Sequence, residues 1–421
     1  MRRHLLLASL FLLQGAVCLA QDPARMEQVV QSFTGNAGFA GSILVARGDD
    51  VLFDRRYGTV PRRQAVASLT KQFTAAAILL LEQRGRLRIE DPVKKHLPNA
   101  PAAWDGMTIF HLLTHTAGFP GLQTPPELRS PPAPAGTAAP ATVTEFINGL
   151  IERPLVARPG ETFSYTNTGY FILSDIIERR SGQSYERFVT DNLLAPLKLM
   201  NTGLDPAAAK TMSPNSLAPA PNGAAGFSTT PADLLRWQRA LYGGKVLSAA
   251  SRRKMTTPFK GDYGLGIYVR SVDGRLAYTH GGGAPAFANL TYFPDRHVSV
   301  VVLGSIATAP APEVAAYLGT LAHGGTVTLA SERKYVTLPL SVLERYVGQY
   351  ELGGRWPIVL DGMNLVFVAG PQKTRLLAES ETVFYLEGTN LRVEFVRDAS
   401  GAVVEMVMHQ GTRQDRAKRV Q

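Results

Sequence analysis

The chain has 421 residues, of which 45% are hydrophobic and 19% are charged. This composition is that of a folded globular protein, which excludes a disordered or fibrous chain, and the length suffices for one large core or for two domains. The net charge of +10 comes from Lys and Arg residues that are scattered rather than clustered, so we expect no nucleic-acid partner.

The first twenty residues have the features of a secretory signal peptide. Two arginines precede the apolar stretch LLLASLFLLQGAV, which is too short to span a membrane comfortably, and a small-x-small cleavage site ends at Ala20. The residues before Cys18 do not fit a lipoprotein signal, so we expect no lipid anchor. Cleavage before Gln21 would remove the only cysteine. The mature protein is then expected to be soluble, secreted or periplasmic, and without disulfides.

The segments that follow predict the opening of a mixed α/β domain. The run FAGSILVARGDDVLFDRRYG alternates apolar and polar residues on both sides of Gly48-Asp49 and predicts a two-stranded hairpin. The residues ASLTK then open a helix that is expected to run through Ala75 to Gln83 and to stop near Gly85.

Short helices are expected from Asp91 to Pro120, with His111 and His115 on one face. Their i, i+4 spacing suits zinc, but Leu112 stands where the Glu of a zinc-peptidase motif would follow the first His, and no third ligand is evident. We therefore expect both histidines to cap a helix or bond to the backbone, and we expect no metal.

The middle of the chain alternates loop, helix and strand patterns. The Pro- and Ala-rich segment TPPELRSPPAPAGTAAPA predicts an extended surface loop that is long enough to be a lid. Helices are predicted at VTEFINGLIERP, GYFILSDIIERRSG and PADLLRWQRALYGG, and Ser228, Thr229 or Thr230 can cap the last one. Strands are predicted at YGLGIYV, RLAYTH, ANLTYFP and VSVVVLG. A sheet built from both ends of the domain, with helices inserted between, is the implied topology.

The pattern changes after Ala322. Gly324-Gly325, polar residues and Pro339 indicate a linker, and the remaining residues form short alternating strands joined by Asp-Gly, Glu-Gly and Ser-Gly turns. The chain therefore divides into a signal peptide at 1–20, a main domain at 21–322, a linker at 323–339 and a small all-β domain at 340–421.

Ser68 and Lys71 have an i, i+3 spacing at the start of a predicted helix. A serine hydroxyl is a poor nucleophile until a base takes its proton, and a base one helical turn away can lie within hydrogen-bond reach. The pattern S-x-x-K occurs by chance in most chains of this length. Taken alone, it indicates only a helix cap and a solvated lysine.

Two motifs downstream strengthen the interpretation of Ser68 as a nucleophile. YTN at 165–167 lies on a loop before a helix, and THGGG at 279–283 offers a side-chain donor and bare backbone that a substrate can approach closely. With ASLTK, YTN and HGG in this order, the chain resembles the serine β-lactamase and penicillin-binding-protein superfamily, specifically the class C β-lactamase-like group with its DD-peptidase, D-aminopeptidase and esterase relatives. HLLTHTAGF, PGETFSYTNTGY and GFSTTPADLLRW are similar to the connecting segments of that group, so the resemblance extends from Phe39 to Ser305.

The resemblance implies a β-lactamase/transpeptidase-like α/β fold, in which an antiparallel sheet is flanked by helices and joined to a helical lobe. The final domain is similar to the small β-barrel-like appendage of several members. Ser68 would form an acyl-enzyme, and Lys71, with a pKa lowered by burial and cationic surroundings, would share the base role with Tyr165. Tyr165 would also return a proton to the leaving group, and Asn167 would bond to Lys71 and to the substrate amide.

The HGG motif is expected to bind substrate through Gly281 and Gly282, while the backbone N–H groups of Ser68 and Gly283 would form the oxyanion hole. His280 stands where β-lactamases have a lysine, so a permanent cation is replaced by a group that is mostly neutral at pH 7 unless it binds a carboxylate as imidazolium. This substitution favours a peptidase or an esterase over a β-lactamase. The connection from Gly58 to Ser68 is also shorter than is usual in the group, which would reshape one wall of the site.

The sequence therefore predicts an exported serine hydrolase that acts on a D-amino-acid peptide, of DD-carboxypeptidase or D-aminopeptidase type, or on a small ester. The expected partner is a small-molecule or peptide substrate, cell-wall peptide included, with no cofactor and no stable membrane insertion. Two alternatives stay open: a β-lactamase, and a penicillin-binding or sensing module without turnover, which the short connection before Ser68 would suit. The sequence settles neither the oligomeric state nor the role of the last domain.

Overall fold

The structure is a computed structural model that describes residues 22–34, 39–121, 124, 154–206, 223–283, 287–304, 311–352, 354–389, 391–410 and 413–420. The predicted signal peptide lies outside these residues. So do the predicted lid loop and the helix at VTEFINGLIERP, apart from Thr124 and Pro154.

A six-stranded antiparallel sheet forms the centre of the main domain, with strand order β2-β1-β9-β8-β7-β6. The predicted hairpin supplies two strands and the distant segment after residue 267 supplies the other four, as the sequence predicted. The six strands are β1 (Gly41–Arg47), β2 (Asp50–Tyr57), β6 (Tyr268–Val272), β7 (Arg275–Gly282), β8 (Ala288–Phe293) and β9 (Val298–Gly304).

The inner strand β1 of this sheet contributes apolar residues to both faces, because helices cover both sides. In β1, Ile43 and Val45 join one buried cluster while Leu44 joins the other. Alternate side chains of a strand point to opposite faces, so the continuous apolar run of β1 separates two cores. A buried strand of this kind reads as an unbroken hydrophobic stretch rather than an alternating one.

Helices pack on both faces of the sheet. The helix α2 is the central one: most of its side chains are buried, including Lys71, which is typical of a helix enclosed on all sides. The helices among the described residues are α1 (Pro23–Thr34), α2 (Thr70–Gln83), α3 (Ile109–Leu113), α4 (Thr168–Ser181), α5 (Tyr185–Val189), α6 (Pro231–Tyr242), α7 (Ala249–Thr256), α8 (Ala311–Ala322) and α9 (Leu340–Leu343).

A small three-stranded sheet holds the start of α2 in place. Its strands are β3 (Gln64–Ala65), β4 (Gly203–Leu204) and β5 (Phe227–Thr229). Val66 N–H donates to the Phe227 carbonyl at 3.0 Å, and Phe227 N–H donates to Thr70 Oγ1 at 3.2 Å. The short segment before Ser68 is therefore tied to a distant part of the chain on both sides of the serine.

Two local predictions are sharpened by the structure. The strand predicted at YGLGIYV begins only at Tyr268, because Gly266 adopts a left-handed conformation with φ +76° where a Cβ would meet the Lys71 carbonyl at 2.7 Å. Of the three possible caps before Pro231, Thr230 is used: its hydroxyl accepts from Asp233 N–H. Ser228 and Thr229 lie in β5 instead.

The C-terminal strands close into an eight-stranded antiparallel barrel with its own core. Each strand pairs with the next, and β10 pairs with β17 to close the barrel, which leaves no open sheet edge. The strands are β10 (Gly348–Glu351), β11 (Arg355–Asp361), β12 (Asn364–Ala369), β13 (Gln372–Ala378), β14 (Val383–Leu386), β15 (Arg392–Arg397), β16 (Val403–Gln410) and β17 (Arg413–Val420).

The segment between the sheet domain and the barrel is packed rather than detached. Val327 and Leu329 are buried in the cluster that also contains α1 and α8, and Arg25 forms an ion pair with Glu332 at 2.5 Å. In the described part of the chain, no helix is both long and apolar enough to cross a bilayer.

Candidate active site

Ser68 lies in a single 3₁₀ turn, Ala67–Leu69, that leads directly into α2. Ala67, the residue before it, has φ +45°, a left-handed conformation that costs free energy for a residue with a Cβ. Within the described residues, no side chain caps either the turn or α2. The Ser68 hydroxyl instead faces Lys71 and Tyr165, so the helix-cap interpretation of Ser68 does not describe its contacts.

Lys71 is fully buried, and three oxygens surround its amine. Nζ lies 3.0 Å from Ser68 Oγ, 2.7 Å from Asn167 Oδ1 and 3.0 Å from the Ala224 carbonyl. Burial lowers the pKa of Lys71 to about 7, because its charged form loses the solvation of water. A large fraction of this amine is therefore neutral at neutral pH and can accept a proton from Ser68.

Tyr165 supplies the second group on the serine. Its side chain lies beside Ser68, and burial, the larger of the effects on this phenol, raises its pKa well above the usual value. The Lys71 ammonium also lies 5.1 Å from the centroid of the Tyr165 ring. At neutral pH the phenol keeps its proton, so Tyr165 can relay or donate a proton but is not itself a phenolate base.

His280 lies in β7 with both ring nitrogens engaged. Nε2 is 3.0 Å from the Tyr263 hydroxyl and Nδ1 is 2.7 Å from the Gly281 carbonyl. Burial, with a smaller contribution from the charge of Lys71, lowers the pKa of His280 to about 3. The ring is therefore neutral at physiological pH in the free protein, which does not favour the hypothesis that it binds a carboxylate as imidazolium.

The glycines after His280 bring strand β7 against the turn that carries Ser68. A Cβ on Gly282 would lie 2.1 Å from the Val66 carbonyl oxygen, a distance that no side chain tolerates. Gly283 follows with φ +94°, a conformation that glycine adopts without strain. The fold thus brings the ASLTK, YTN and HGG motifs together, although more than 90 residues separate each from the next.

The two histidines of the FHLLTHTAGF segment bond to the backbone, as the sequence predicted. His111 Nδ1 accepts from Thr108 N–H at 3.2 Å, and Thr108 Oγ1 accepts from His111 N–H at 3.3 Å, which forms a capping box at the start of α3. His115 Nδ1 accepts from Thr166 N–H at 3.3 Å. In the residues that the structure describes, no cluster of His, Cys, Asp or Glu could hold a metal ion.

Sequence reasoning missed an aromatic wall around the site. Tyr268 stacks on Tyr165 with ring centroids 6.5 Å apart, and it carries the Arg270 guanidinium 3.8 Å above its own ring. Tyr263 contacts His280 and His115. The signal available was the segment YGLGIYV, whose two tyrosines were assigned only to a strand.

A base within hydrogen-bond distance of a serine, with a phenol beside the same serine, suits nucleophilic catalysis through an acyl-enzyme. Together with an antiparallel sheet flanked by helices, this site defines a serine hydrolase of β-lactamase/transpeptidase-like fold. The comparison with protein families agrees. The model of the family described as Beta-lactamase matches residues 26–323, and the chain belongs to this family.

Several known proteins are similar to the chain over most of its length. Penicillin-binding protein 4* of Bacillus subtilis (strain 168) is 26% identical over 434 aligned residues, which cover 90% of this chain and 94% of that protein. The octameric penicillin-binding protein homologue from Pyrococcus abyssi has a TM-score of 0.64 at 22% identity and covers 94% of this chain and 100% of its own. A D-stereospecific amidohydrolase from Streptomyces sp. has a TM-score of 0.55 at 24% identity, over 66% of this chain and 93% of its own.

Proposed function

We propose that this protein is an exported hydrolase that forms an acyl-enzyme on Ser68 and transfers the acyl group to water. One observation carries the proposal: the buried amine of Lys71 lies 3.0 Å from Ser68 Oγ, and burial lowers its pKa to about 7. A general base is most effective when its pKa lies near the working pH.

In this mechanism Lys71 accepts the Ser68 proton as Oγ attacks the substrate carbonyl. Tyr165, which stays protonated, donates its proton to the leaving group and is reprotonated from Lys71. Asn167 holds the lysine amine through its Oδ1 and presents its amide to the substrate. Water then attacks the acyl-enzyme, with the same groups in reversed roles.

The developing oxyanion would be stabilised by the backbone N–H groups of Ser68 and Gly283, with Gly281 and Gly282 lining the substrate strand. Each donor of such a pair contributes about 3 kcal/mol to the transition state. The close approach of β7 to Val66 supports this pairing, since it brings the two backbones to one place.

The substrate class that we propose is a D-amino-acid amide or peptide, or a small ester. The neutral His280 provides no permanent cation where β-lactamases have one, which argues against β-lactams as preferred substrates. The name of the Streptomyces relative, a D-stereospecific amidohydrolase, supports amides of D-amino acids. Arg270, the cation above Tyr268, supports peptides with a free carboxylate.

A substrate panel tests the proposal. We would compare kcat/KM on p-nitrophenyl butyrate, nitrocefin, a D-amino-acid amide and a D-Ala-D-Ala peptide, with Ser68→Ala as the blank. Steady turnover beyond one equivalent that is absent in Ser68→Ala supports the hydrolase. A single burst without turnover would instead support the sensing module. Equal labelling of wild type and Ser68→Ala by a fluorophosphonate probe would reject Ser68 as the nucleophile.

Export is the remaining part of the proposal. The basic and apolar start of the chain and the small residues before Gln21 support cleavage after Ala20. Mass spectrometry of the protein recovered from the periplasm or medium should find Gln21 as its first residue. Recovery of the intact chain from the cytoplasm alone would contradict export.

A further inference from the structure

His115 bonds to the main chain on both sides of Tyr165. Its backbone carbonyl accepts from Ser164 N–H at 2.8 Å, and its ring nitrogen Nδ1 accepts from Thr166 N–H at 3.3 Å. One residue, two positions after the end of α3, thus fixes the residues immediately before and after the phenol. The position of the Tyr165 backbone relative to α3 is set by these two bonds.

The His115 ring also packs on the Tyr165 side chain. Its centroid lies 4.2 Å from that of Tyr165, and it contacts Tyr170 at 5.2 Å and Tyr263 at 4.7 Å. The ring therefore forms one side of the slot that holds the phenol. A side chain held on its face by a buried ring has little freedom to rotate away from Ser68.

The arrangement of His115 is energetically unfavourable in two respects. Its φ is +56°, an uncommon conformation for a residue other than glycine. Because Nδ1 accepts a hydrogen bond and the ring is neutral, the proton is on Nε2, and this buried N–H has no hydrogen-bond partner among the described residues. An unsatisfied buried donor is unfavourable, and such costs cluster at functional sites.

We propose that His115 is a positioning residue that holds the Tyr165 side chain beside Ser68. This inference rests on the proposed function, since it assigns no reaction of its own. His115 does not contact the reacting atoms. It acts on Tyr165 through hydrogen bonds to the backbone of Ser164 and Thr166 and through one contact between the two rings. A displacement of about 1 Å in a catalytic group can lower the rate about 100-fold, so these His115 contacts matter for turnover.

Three variants separate positioning from stability. His115→Ala removes the ring and its acceptor. His115→Asn keeps an acceptor, Oδ1, at the place of Nδ1 and tolerates left-handed backbone better than most residues. His111→Ala is the matched control, since His111, four residues earlier in α3, also accepts one backbone N–H but caps α3 instead of contacting Tyr165.

Turnover of p-nitrophenyl butyrate should be measured per Ser68 that a fluorophosphonate titrates, so that unfolded protein does not count. We expect His115→Ala to lower kcat about 10- to 100-fold with KM nearly unchanged, because the lost interaction acts in the transition state. His115→Asn should recover most of this loss. His111→Ala should lower the melting temperature but leave kcat per titrated serine at the wild-type value.

Wild-type kcat in His115→Ala would overturn the inference while leaving the hydrolase intact, whereas a wild type without turnover would overturn the hydrolase. A crystal structure of His115→Ala tests the inference independently of activity. The Tyr165 side chain should move away from Ser68 Oγ, and an unmoved phenol would overturn the positioning role.

Discussion

At the scale of single residues, the reactivity of Ser68 depends on the charge of Lys71. Only the neutral amine accepts a proton, and its pKa is about 7. We predict that kcat/KM for a neutral ester rises about 30-fold from pH 5.5 to pH 8.5 and follows one ionisation near pH 7. The pKa of His280 lies below this range and that of Tyr165 above it, so neither should add a second transition.

Stopped-flow or steady-state rates in buffers of constant ionic strength measure this profile. Lys71→Met is the control, and it should lose the activity together with the transition. A wild-type rate that does not change between these pH values would show that Lys71 is not the titrating base.

Arg270 should strengthen the binding of substrates with a free carboxylate. Its guanidinium stacks on Tyr268, close enough to His280 to lower the pKa of that ring. We predict that Arg270→Gln raises KM for a D-Ala-D-Ala peptide about 10-fold, the size expected for a lost charge-assisted hydrogen bond. KM for p-nitrophenyl butyrate, which has no carboxylate, should be unchanged. An equal change for both substrates would point to a general loss of structure and contradict the role.

At the scale of elements, the site depends on how strand β7 meets the turn before α2. A Cβ at Gly282 would lie 2.1 Å from the backbone oxygen of Val66. Because neither backbone can yield without moving Ser68 away from β7, we predict that Gly282→Ala lowers kcat/KM at least 100-fold.

Gly203→Ala in β4 is the matched control for this change, since a Cβ there would meet only the flexible end of Arg63 at 3.8 Å. It should keep wild-type activity. Circular dichroism should show both variants folded. A Gly282→Ala enzyme with wild-type kcat/KM would mean that the two backbones need not be in contact.

At the scale of the whole molecule, an ion pair helps to hold the segment between the sheet domain and the barrel. Arg25 in α1 pairs with Glu332 and lowers the pKa of that carboxyl to about 2. Lys334, a trypsin site, follows two residues later and is exposed. We predict that Glu332→Gln speeds tryptic cleavage near Lys334, because the segment loses one of its ties to the sheet domain.

Gel electrophoresis and mass spectrometry of the fragments provide the measurement, and Glu344→Gln, an exposed carboxylate beyond the segment, is the control. The domain boundaries at 322 and 340 are a prediction that the same digest tests. First cuts inside the sheet domain or the barrel would place the boundaries elsewhere, and equal rates for all three proteins would show that the ion pair does not hold the segment.

The sequence by itself determined the elements and the candidate chemistry. The hairpin around Gly48-Asp49, the helix ending at Gln83 and the C-terminal strands follow from local periodicity and turn residues, which are properties of neighbouring positions. The strand predicted at YGLGIYV was too long. Gly266 adopts a left-handed conformation close to the Lys71 backbone, which is distant in the sequence. Ser68 and Lys71 could be proposed as nucleophile and base from their spacing, because one helical turn fixes the distance between them.

Only the tertiary structure decided which groups meet and what charge they carry. Burial lowers the pKa of Lys71 and His280, and burial depends on elements that are far apart in the sequence. For the same reason His115, assigned from its spacing to a backbone-bonding role, also lies against Tyr165. The desolvation that makes Lys71 a base at neutral pH arises when α2 is enclosed on all sides, which no local pattern of residues specifies.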